Sequence, residues 1–325
     1  MTLTRRSLIQ ATGATAALLA MPHVARAAGT ETARLGWGRG GLPLIAKQRG
    51  AFEKQLAEQD IKVEWVGPFP NHAPSLQAVV GGSADFGFWG STTPALAAIL
   101  AGQDLVFTQF NVYSPRSTAI IVKKDSGIDS VADLKGRKIA VNRSGLGEFL
   151  LIAALEKNGL TRDDVTVVYL NPPDAAPAFG QGKVDAWSMW TPAVDIAREQ
   201  FDAKDIFFEG TDLDFLIDYS SLVTTRAFAT EKGRVVRAVI DAYRTEGDWI
   251  SANPVEAETI AQAEGQYPDA VRDHLVSLNR QNTFFEADDA QFLTEFQRAA
   301  DWLSERAILP DRITVADHVL RPQGA

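Results

Sequence analysis

The chain has 325 residues, of which 46% are hydrophobic and 22% are charged, a mixture typical of a globular protein with one large or two medium domains. It contains no cysteine, which excludes disulfides, catalytic thiols, iron–sulfur clusters and thiolate zinc sites. The formal net charge of -9 at pH 7 argues against electrostatic binding of nucleic acid.

The first 27 residues have the organisation of an export signal. Arg5 and Arg6 precede an apolar stretch at residues 7–20, and Ala25 and Ala27 supply the small-residue pattern that signal peptidase cleaves. We therefore expect a signal peptide at residues 1–27, cleaved after Ala27, and a periplasmic mature protein. The paired arginines favour twin-arginine export, and the alternatives are an ordinary secretory signal and an N-terminal anchor.

A β-α-β unit follows the signal, and the chain uses this unit twice. Hydrophobic periodicity and turn residues predict a strand, a glycine-rich turn, a helix and a strand at residues 34–37, 38–41, 42–56 and 61–66. The same order recurs at residues 137–141, 144–147, 148–157 and 165–170. Because right-handed β-α-β units build parallel sheets, this repeat predicts an α/β protein with two lobes that face a cleft.

The remaining elements predict how the lobes are divided. Strands at residues 105–111, 117–122 and 220–225 are candidates for crossings between the lobes. From Lys232 onward the apolar residues have helical spacing, and we assign this tail to the first lobe. The first lobe is therefore expected to contain residues 28–112 and 225–325, and the second lobe residues 113–224.

Two glycine-rich turns are candidates for binding an anion. Glycine lets the backbone approach a ligand closely, and the first N–H groups of a helix attract negative charge. The candidates are Arg39, Gly40, Gly41 and Leu42 in the first lobe and Arg143, Ser144 and Gly145 in the second. The alternatives are that the arginines are merely solvated and that Ser144 only caps a helix.

Tryptophans follow predicted strands at equivalent points of the two lobes. We expect Trp89, Trp187 and Trp190 at the rim of the cleft, where they would form the wall of a pocket for an apolar or aromatic group. Ordinary core packing is the alternative. Gly90, Ser91 and Thr92 lead into the next helix and offer hydroxyl and amide groups to a ligand.

Signals of catalysis are weak. Residues 36–41 satisfy the G-x-G-x-x-G pattern and Glu64 follows at a suitable distance, so an exported nucleotide-cofactor oxidoreductase is an alternative of another class. Pro43 and the short preceding strand speak against it. The histidines lack metal-ligand spacing, and helix capping explains acidic pairs such as residues 163–164 and 288–289. We expect no catalytic residue, no metal and no cofactor.

Three segments, residues 40–54, 81–90 and 169–190, resemble the aliphatic sulfonate-binding proteins of ABC importers, a group that includes taurine and nitrate binders. The K-V-D-A-W-x-x-W sequence at residues 183–190 is the most specific part, and the resemblance runs from about residue 34 to the C-terminus. It implies a two-lobed type II periplasmic-binding-protein fold that closes on a small anionic ligand. It also implies delivery to an ABC permease with a cytoplasmic ATPase. We expect a monomer that binds no nucleic acid.

The resemblance also implies that the turns named above grip the ligand. The chain departs from the family at Trp89, Gly90 and Ser91, where the family has a hydroxyl residue, a glycine and an acid, and at Gly38, where it has a polar residue. We therefore expect an aliphatic sulfonate or a related, bulkier organosulfonate. The alternatives are nitrate, taurine, a sulfate ester, an aromatic acid and a heterocycle resembling a thiamine precursor.

Overall fold

A computed structural model describes residues 30–116 and 118–320, so the predicted signal segment lies outside the described residues. The β-strands are β1 (Glu31–Gly36), β2 (Ile61–Val66), β3 (Gly90–Ser91), β4 (Leu105–Ser114), β5 (Ala119–Lys123), β6 (Lys138–Val141), β7 (Thr166–Tyr169), β8 (Ala186–Met189), β9 (Ala203–Phe208), β10 (Ser220–Thr225) and β11 (Gln281–Glu286). The α-helices are α1 (Gly41–Arg49), α2 (Ala51–Ala57), α3 (His72–Val80), α4 (Thr92–Leu100), α5 (Leu146–Lys157), α6 (Pro172–Gly180), α7 (Ala193–Gln200), α8 (Glu209–Asp212), α9 (Arg226–Glu231), α10 (Gly233–Ala252), α11 (Pro254–Gly265), α12 (Asp269–Ser277) and α13 (Ala290–Glu305).

The first sheet combines a parallel pair, β1 and β2, with four strands in the order β11-β4-β10-β3. Phe86 joins the two parts, because it bridges Leu35 of β1 in parallel and Thr224 of β10 in antiparallel orientation. β10 is antiparallel to β3 and β4, and β11 is antiparallel to β4. Most strands of this sheet therefore run in one direction, with β10 and β11 reversed.

The second sheet has five strands in the order β7-β6-β8-β5-β9. β6 is parallel to β7 and β8, whereas β5 is antiparallel to β8 and β9. β5 is thus the reversed strand of a mostly parallel sheet. The chain enters this sheet after β4 and leaves it after β9, so the segment between β4 and β5 and the segment between β9 and β10, residues 209–219, are the crossings between the sheets.

The predicted repeat of β-α-β units is confirmed by the parallel pairs β1–β2 and β6–β7. The helix predicted at residues 42–56 is divided in two, because Gly50 adopts a left-handed conformation with φ of 64° between α1 and α2. The sequence analysis also missed β9 and β11. β11 lies inside the tail that was predicted to be helical, and it extends the first sheet.

The first sheet extends past the predicted lobe boundaries at two points, since β4 runs to Ser114 and β10 begins at Ser220. β10 pairs with β3 and β4 in the first sheet, although the predicted boundary places residues 220–224 in the second lobe. β10 lies in the first sheet because it pairs with β4, although it follows the second β-α-β unit in the sequence. The remainder of the predicted division stays a prediction.

Helices cover both faces of each sheet and form the hydrophobic cores. In the first sheet α1, α2 and α10 pack on one side and α3, α4 and α13 on the other. In the second sheet α5 packs on one side and α6 with α7 on the other. The helical spacing predicted for the tail is confirmed by burial of Val236, Val239, Ile240, Tyr243, Ile250, Phe292, Phe296, Ala299 and Leu303. Within residues 30–116 and 118–320, no helix is long and apolar enough to cross a membrane.

The two sheets are also connected through their helices. Phe149 of α5 packs in the same core cluster as Phe292 and Phe296 of α13. Arg306, which follows α13, pairs with Glu156 of α5 at 2.8 Å. On another side, α7 packs against α12. The helices of the second sheet are therefore in direct contact with the C-terminal helices of the first.

Arg116 links the two crossings. Its Nε lies 3.0 Å from Oε1 of Glu209, and both side chains are largely buried, with exposed fractions of 12% and 4%. Its guanidinium also donates to the carbonyl oxygen of Asp218. Arg116 in the first crossing thus contacts both ends of the second.

We predict that Arg116→Met destabilises the protein by about 3 kcal/mol, because it leaves the Glu209 carboxylate buried without its counter-charge. Urea unfolding monitored by tryptophan fluorescence measures the difference. The control is Lys124→Met, which breaks an ion pair with Asp202 whose two side chains are 57% and 78% exposed. That variant should lose less than about 1 kcal/mol. Equal effects of the two substitutions would contradict the assigned role of Arg116.

Candidate functional site

The start of α1 presents open backbone at the end of β1. Gly40 is the N-cap residue without a side-chain cap, and Gly41 has a φ of 71°, a left-handed conformation that favours glycine. A Cβ atom added to either glycine would meet nothing within 4 Å. The side chain of Leu42 is buried in the core, so only its backbone is left for a ligand. Arg39 is exposed and pairs with Glu264 of α11.

The segment after Phe86 corrects the predicted position of Trp89. Trp89 is 7% exposed, and its ring contacts Tyr243 of α10 and Phe284 of β11 at centroid distances of 5.5 and 5.7 Å. The prediction that it lies at the cleft rim rather than in the core is therefore wrong. The neighbouring Phe88 is half-buried and lies beside Gly38, where an added Cβ would be 3.5 Å from the Phe88 ring.

The polar residues after Trp89 are engaged by two side chains that the sequence analysis did not select. His72 packs against Gly90, because a Cβ added there would lie 2.3 Å from His72 Cγ, and its Nδ1 lies 2.7 Å from the Ser91 carbonyl oxygen. Thr92 donates its hydroxyl to Asp218 at 2.5 Å. The Ser91 hydroxyl oxygen is buried and has no hydrogen-bond partner among the described residues.

The start of α5 lies directly against the end of β8. Gly145 is the N-cap, so the alternative that Ser144 only caps this helix is wrong. Added Cβ atoms would lie 1.6 Å from the Asn142 side chain at Gly145 and 2.3 Å from the Ser188 carbonyl oxygen at Gly147. Ser188 donates its hydroxyl to the Gly147 carbonyl oxygen at 2.7 Å. Glycine is therefore required at residue 147 by a backbone contact, whereas at residue 145 a larger residue would have to displace the Asn142 side chain.

A charged network surrounds this helix start. The exposed Arg143 places its guanidinium carbon 3.7 Å from the ring centroid of Tyr169, at the end of β7. Tyr169 donates its hydroxyl to Glu148 Oε1 at 2.5 Å, and the Ser144 N–H donates to Glu148 Oε2 at 2.7 Å. Arg162 pairs with the same carboxylate at 3.0 Å. Glu148 thus has a donor on each oxygen and a counter-charge.

The tryptophans of the second sheet differ in burial. Trp187 is 1% exposed and packs near Phe179 in the core, which corrects its predicted position at the cleft rim. Trp190 is half-buried against the same cluster. A strand end directs successive side chains to opposite faces, so proximity in sequence does not give neighbouring tryptophans the same exposure.

The predicted residues form two groups, one at the end of each parallel array. The turn at residues 39–42 adjoins residues 88–92 through close contacts of Gly36 and Gly38 with Phe88. The turn at residues 143–145 adjoins residues 187–190 through Gly147 and Ser188. Two surface depressions of about 680 and 440 Å³ lie elsewhere, along α13, and their linings contain none of the predicted residues.

Packing accounts for the glycine pattern that resembles a nucleotide motif. A Cβ added to Gly36 would lie 2.7 Å from the backbone nitrogen of Phe88, so glycine is needed there for contact between backbone segments. Glu64 pairs with Lys62 on the same strand at 2.8 Å. Helix capping by the acidic pairs is confirmed, since Asp164 accepts from the Thr161 N–H and Asp289 from the Phe292 N–H. Among the described residues, no group of three or more His, Asp or Glu side chains could hold a metal ion.

Burial lowers the pKa of His72. The ring is 3% exposed, and loss of hydration lowers its pKa from 6.5 to about 4, against the opposing effects of the Ser91 carbonyl and Asp218. Because the Ser91 carbonyl can only accept, Nδ1 carries the proton of the neutral ring.

We predict that this shift makes stability fall with acidification. The unfolded chain takes up the proton near pH 6.5 and the folded protein only near pH 4. The stability that the neutral His72 ring contributes is therefore fully present above pH 6.5 and is lost as the pH falls from 6.5 to 4. The loss should be about 3 kcal/mol. Urea unfolding across this range measures it, and His72→Gln, whose amide can also donate to Ser91, should show a flatter profile. An unchanged profile in that variant would exclude His72 as the cause.

Comparison with known proteins adds the following relatives. The sequence model of the NMT1/THI5 like family matches residues 43–257. A protein of Escherichia coli (strain K12) named for the binding of aliphatic sulfonates is 30% identical over 302 residues, which are 92% of this chain and 92% of that protein. A protein of Bacillus subtilis (strain 168) with the same description is 36% identical over 60% of this chain and 58% of its own length.

Solved structures show the same likeness. The alkanesulfonate-binding protein SsuA from Xanthomonas axonopodis pv. citri, bound to MOPS, has a TM-score of 0.82 and 28% identity, covering 91% of this chain and 100% of that one. The periplasmic aliphatic sulphonate binding protein SsuA from Escherichia coli has a TM-score of 0.80 and 27% identity, covering 91% and 94%. The desulfurization enzyme DSZB, at 15% identity and a TM-score of 0.65, shares the fold. The predicted α/β periplasmic-binding-protein fold and the predicted resemblance are confirmed.

Proposed function

Because the chain belongs to the NMT1/THI5 like family, we propose that it is the solute-binding protein of an ABC importer and captures an organosulfonate between its two lobes. Its similarity to aliphatic sulfonate-binding proteins extends over nearly the whole chain and supports this proposal. The sulfonate is expected to leave the site by delivery to a membrane permease. The protein is not an enzyme on this proposal, since the relatives that resemble it over nine tenths of its length are named as binding proteins.

The observation that carries the sulfonate assignment is the state of Arg143. Its guanidinium stacks on Tyr169 and makes no ion pair with any acid in residues 30–116 and 118–320. It lies two residues before the N-cap of α5, where the first helical N–H groups also favour negative charge. A cation in this position is suited to hold a sulfonate through charge-assisted hydrogen bonds.

In the first lobe Arg39, unlike Arg143, has an acidic partner, Glu264. Its pairing with Glu264 compensates its charge within the protein, so α1 contributes its open backbone rather than an arginine. Phe88 and the unpartnered Ser91 hydroxyl are the side chains of this lobe that we assign to the ligand. The first lobe therefore suits the organic part of the ligand and the second lobe its anionic group.

Export and assembly complete the proposal. Removal of residues 1–27 after twin-arginine export would give a periplasmic protein, in line with the periplasmic relatives. The mature protein would act as a monomer, with the permease and its cytoplasmic ATPase as partners. Lobe closure would be stabilised by a ligand that contacts both sheets.

We predict that alkanesulfonates and arylsulfonates raise the melting temperature of the purified full chain, because a ligand that binds only the folded state stabilises it. Sulfate esters, nitrate, taurine, aromatic acids, thiamine precursors and NAD(P) complete the screen. Isothermal titration of the best ligand then compares Arg143→Gln with the matched control Arg39→Gln. Affinity should fall about 10- to 100-fold in the first and less than about threefold in the second.

Three results would count against the proposal. A melting shift with heterocycles or NAD(P) alone would replace the organosulfonate by another ligand class. Equal losses of affinity in Arg143→Gln and Arg39→Gln would show that the unpaired charge of Arg143 has no special role in binding. Full affinity in both variants would mean that the anionic group is bound elsewhere in the protein.

A further inference from the structure

We propose that Tyr169 is a positioning residue for the anionic group of the ligand, acting through Arg143. The inference rests on the proposed function and adds to it a residue outside the predicted set. Tyr169 is the last residue of β7, and Arg143 follows the end of the neighbouring strand β6. The register pairs Val141 with Tyr169, so the arginine two residues later extends across the tyrosine ring.

The Tyr169 ring is held in place from both ends. Its backbone belongs to the second sheet, and its hydroxyl donates to Glu148 at 2.5 Å and contacts Arg162. Glu148 is 4% exposed and is itself fixed by the Ser144 N–H and by Arg162. An aromatic ring anchored in this way is a rigid support, whereas an exposed arginine alone samples many rotamers.

The stacked geometry explains why the support matters for binding. At 3.7 Å the guanidinium lies over the face of the ring, where the negative side of the aromatic quadrupole attracts it. Stacking leaves the edge of the guanidinium and its N–H donors open to an oxyanion. Since the arginine is ordered before the ligand arrives, less conformational entropy is lost on binding.

The charges of the network indicate which anion it suits. Arg162 compensates the buried Glu148 carboxylate, and Arg143 contributes one further positive charge that no acid among the described residues pairs. A single positive charge next to the start of α5 matches the single negative charge of a sulfonate. The substrate class is therefore a monoanion whose oxygen atoms face lobe two.

A double-mutant cycle tests the positioning role, with isothermal titration of an alkanesulfonate into the full chain. Tyr169→Leu removes the ring and should weaken binding about threefold to tenfold, the range expected for a partly desolvated cation–π contact. Tyr169→Phe keeps the ring but removes its hydrogen bond to Glu148, so it should weaken binding less than Tyr169→Leu does. In the Arg143→Gln background, Tyr169→Leu should have no further effect, because the residue it positions is gone.

Phe88→Leu is the matched control, an aromatic-to-leucine change at a strand end of the other lobe. Its effect should add to that of Arg143→Gln, since the two side chains are assigned to different parts of the ligand. An equal effect of Tyr169→Leu with and without Arg143 would show a general structural role and overturn the proposal. A wild-type affinity in Tyr169→Leu would overturn it as well.

The outcomes separate this inference from the proposed function. If the wild type binds alkanesulfonates and Arg143→Gln weakens binding, but Tyr169→Leu does not, the function stands and the positioning role is wrong. If the wild type binds alkanesulfonates and Arg143→Gln has no effect, the anion site assigned to lobe two is wrong and Tyr169 has nothing to position. If the wild type binds no sulfonate, the proposed function fails and the inference fails with it.

Discussion

The buried ion pair between Arg116 and Glu209 joins the two crossings of the chain, while helix contacts elsewhere join the two sheets. The crossings are the only two stretches of the described chain that pass between the sheets, and Arg116 also holds the Asp218 carbonyl. Asp218 in turn accepts from Thr92 and from the N–H of Thr93 at the start of α4. A continuous set of polar contacts therefore runs from the crossings to the first-lobe turn that carries Ser91.

Much of the fold follows from local patterns in the sequence. Strands β2 and β10 and the buried faces of α10 and α13 were predictable, because apolar spacing reports which residues are covered. β11 was not predictable, since its sequence places two phenylalanines next to each other instead of alternating apolar and polar residues, and its pairing with β4 makes it a strand. β10 was predicted as a strand and as a candidate crossing, and it pairs with β4 across the predicted lobe boundary. Long-range pairing decides such segments, and a local pattern does not contain it.

The candidate site was predictable to the level of turns and less so to the level of side chains. Glycines at residues 40, 41 and 145 indicated the helix starts, and the structure gives a reason for Gly41 in its positive φ and for Gly145 in its contact with Asn142. Trp89 and Trp187 were misplaced because a position after a strand does not tell which face a side chain takes. Residues 87–89 lie between Phe86 and β3 and belong to no strand, so no strand alternation could have given the face that Trp89 takes. The stacking of Arg143 on Tyr169 depends on the register of β6 and β7 and had no local signal.

On the proposed function, the two lobes contact different parts of the ligand. The second lobe carries the uncompensated charge of Arg143, whereas the charge of Arg39 in the first lobe is already paired with Glu264. An inorganic anion would satisfy the second lobe and gain little from the first. A ligand that also contacts Phe88 and Ser91 of the first lobe would favour a closed arrangement over an open one, since closure is driven by contacts that differ between the two states. Discrimination between an organosulfonate and sulfate would therefore arise in the lobe that does not bind the charge.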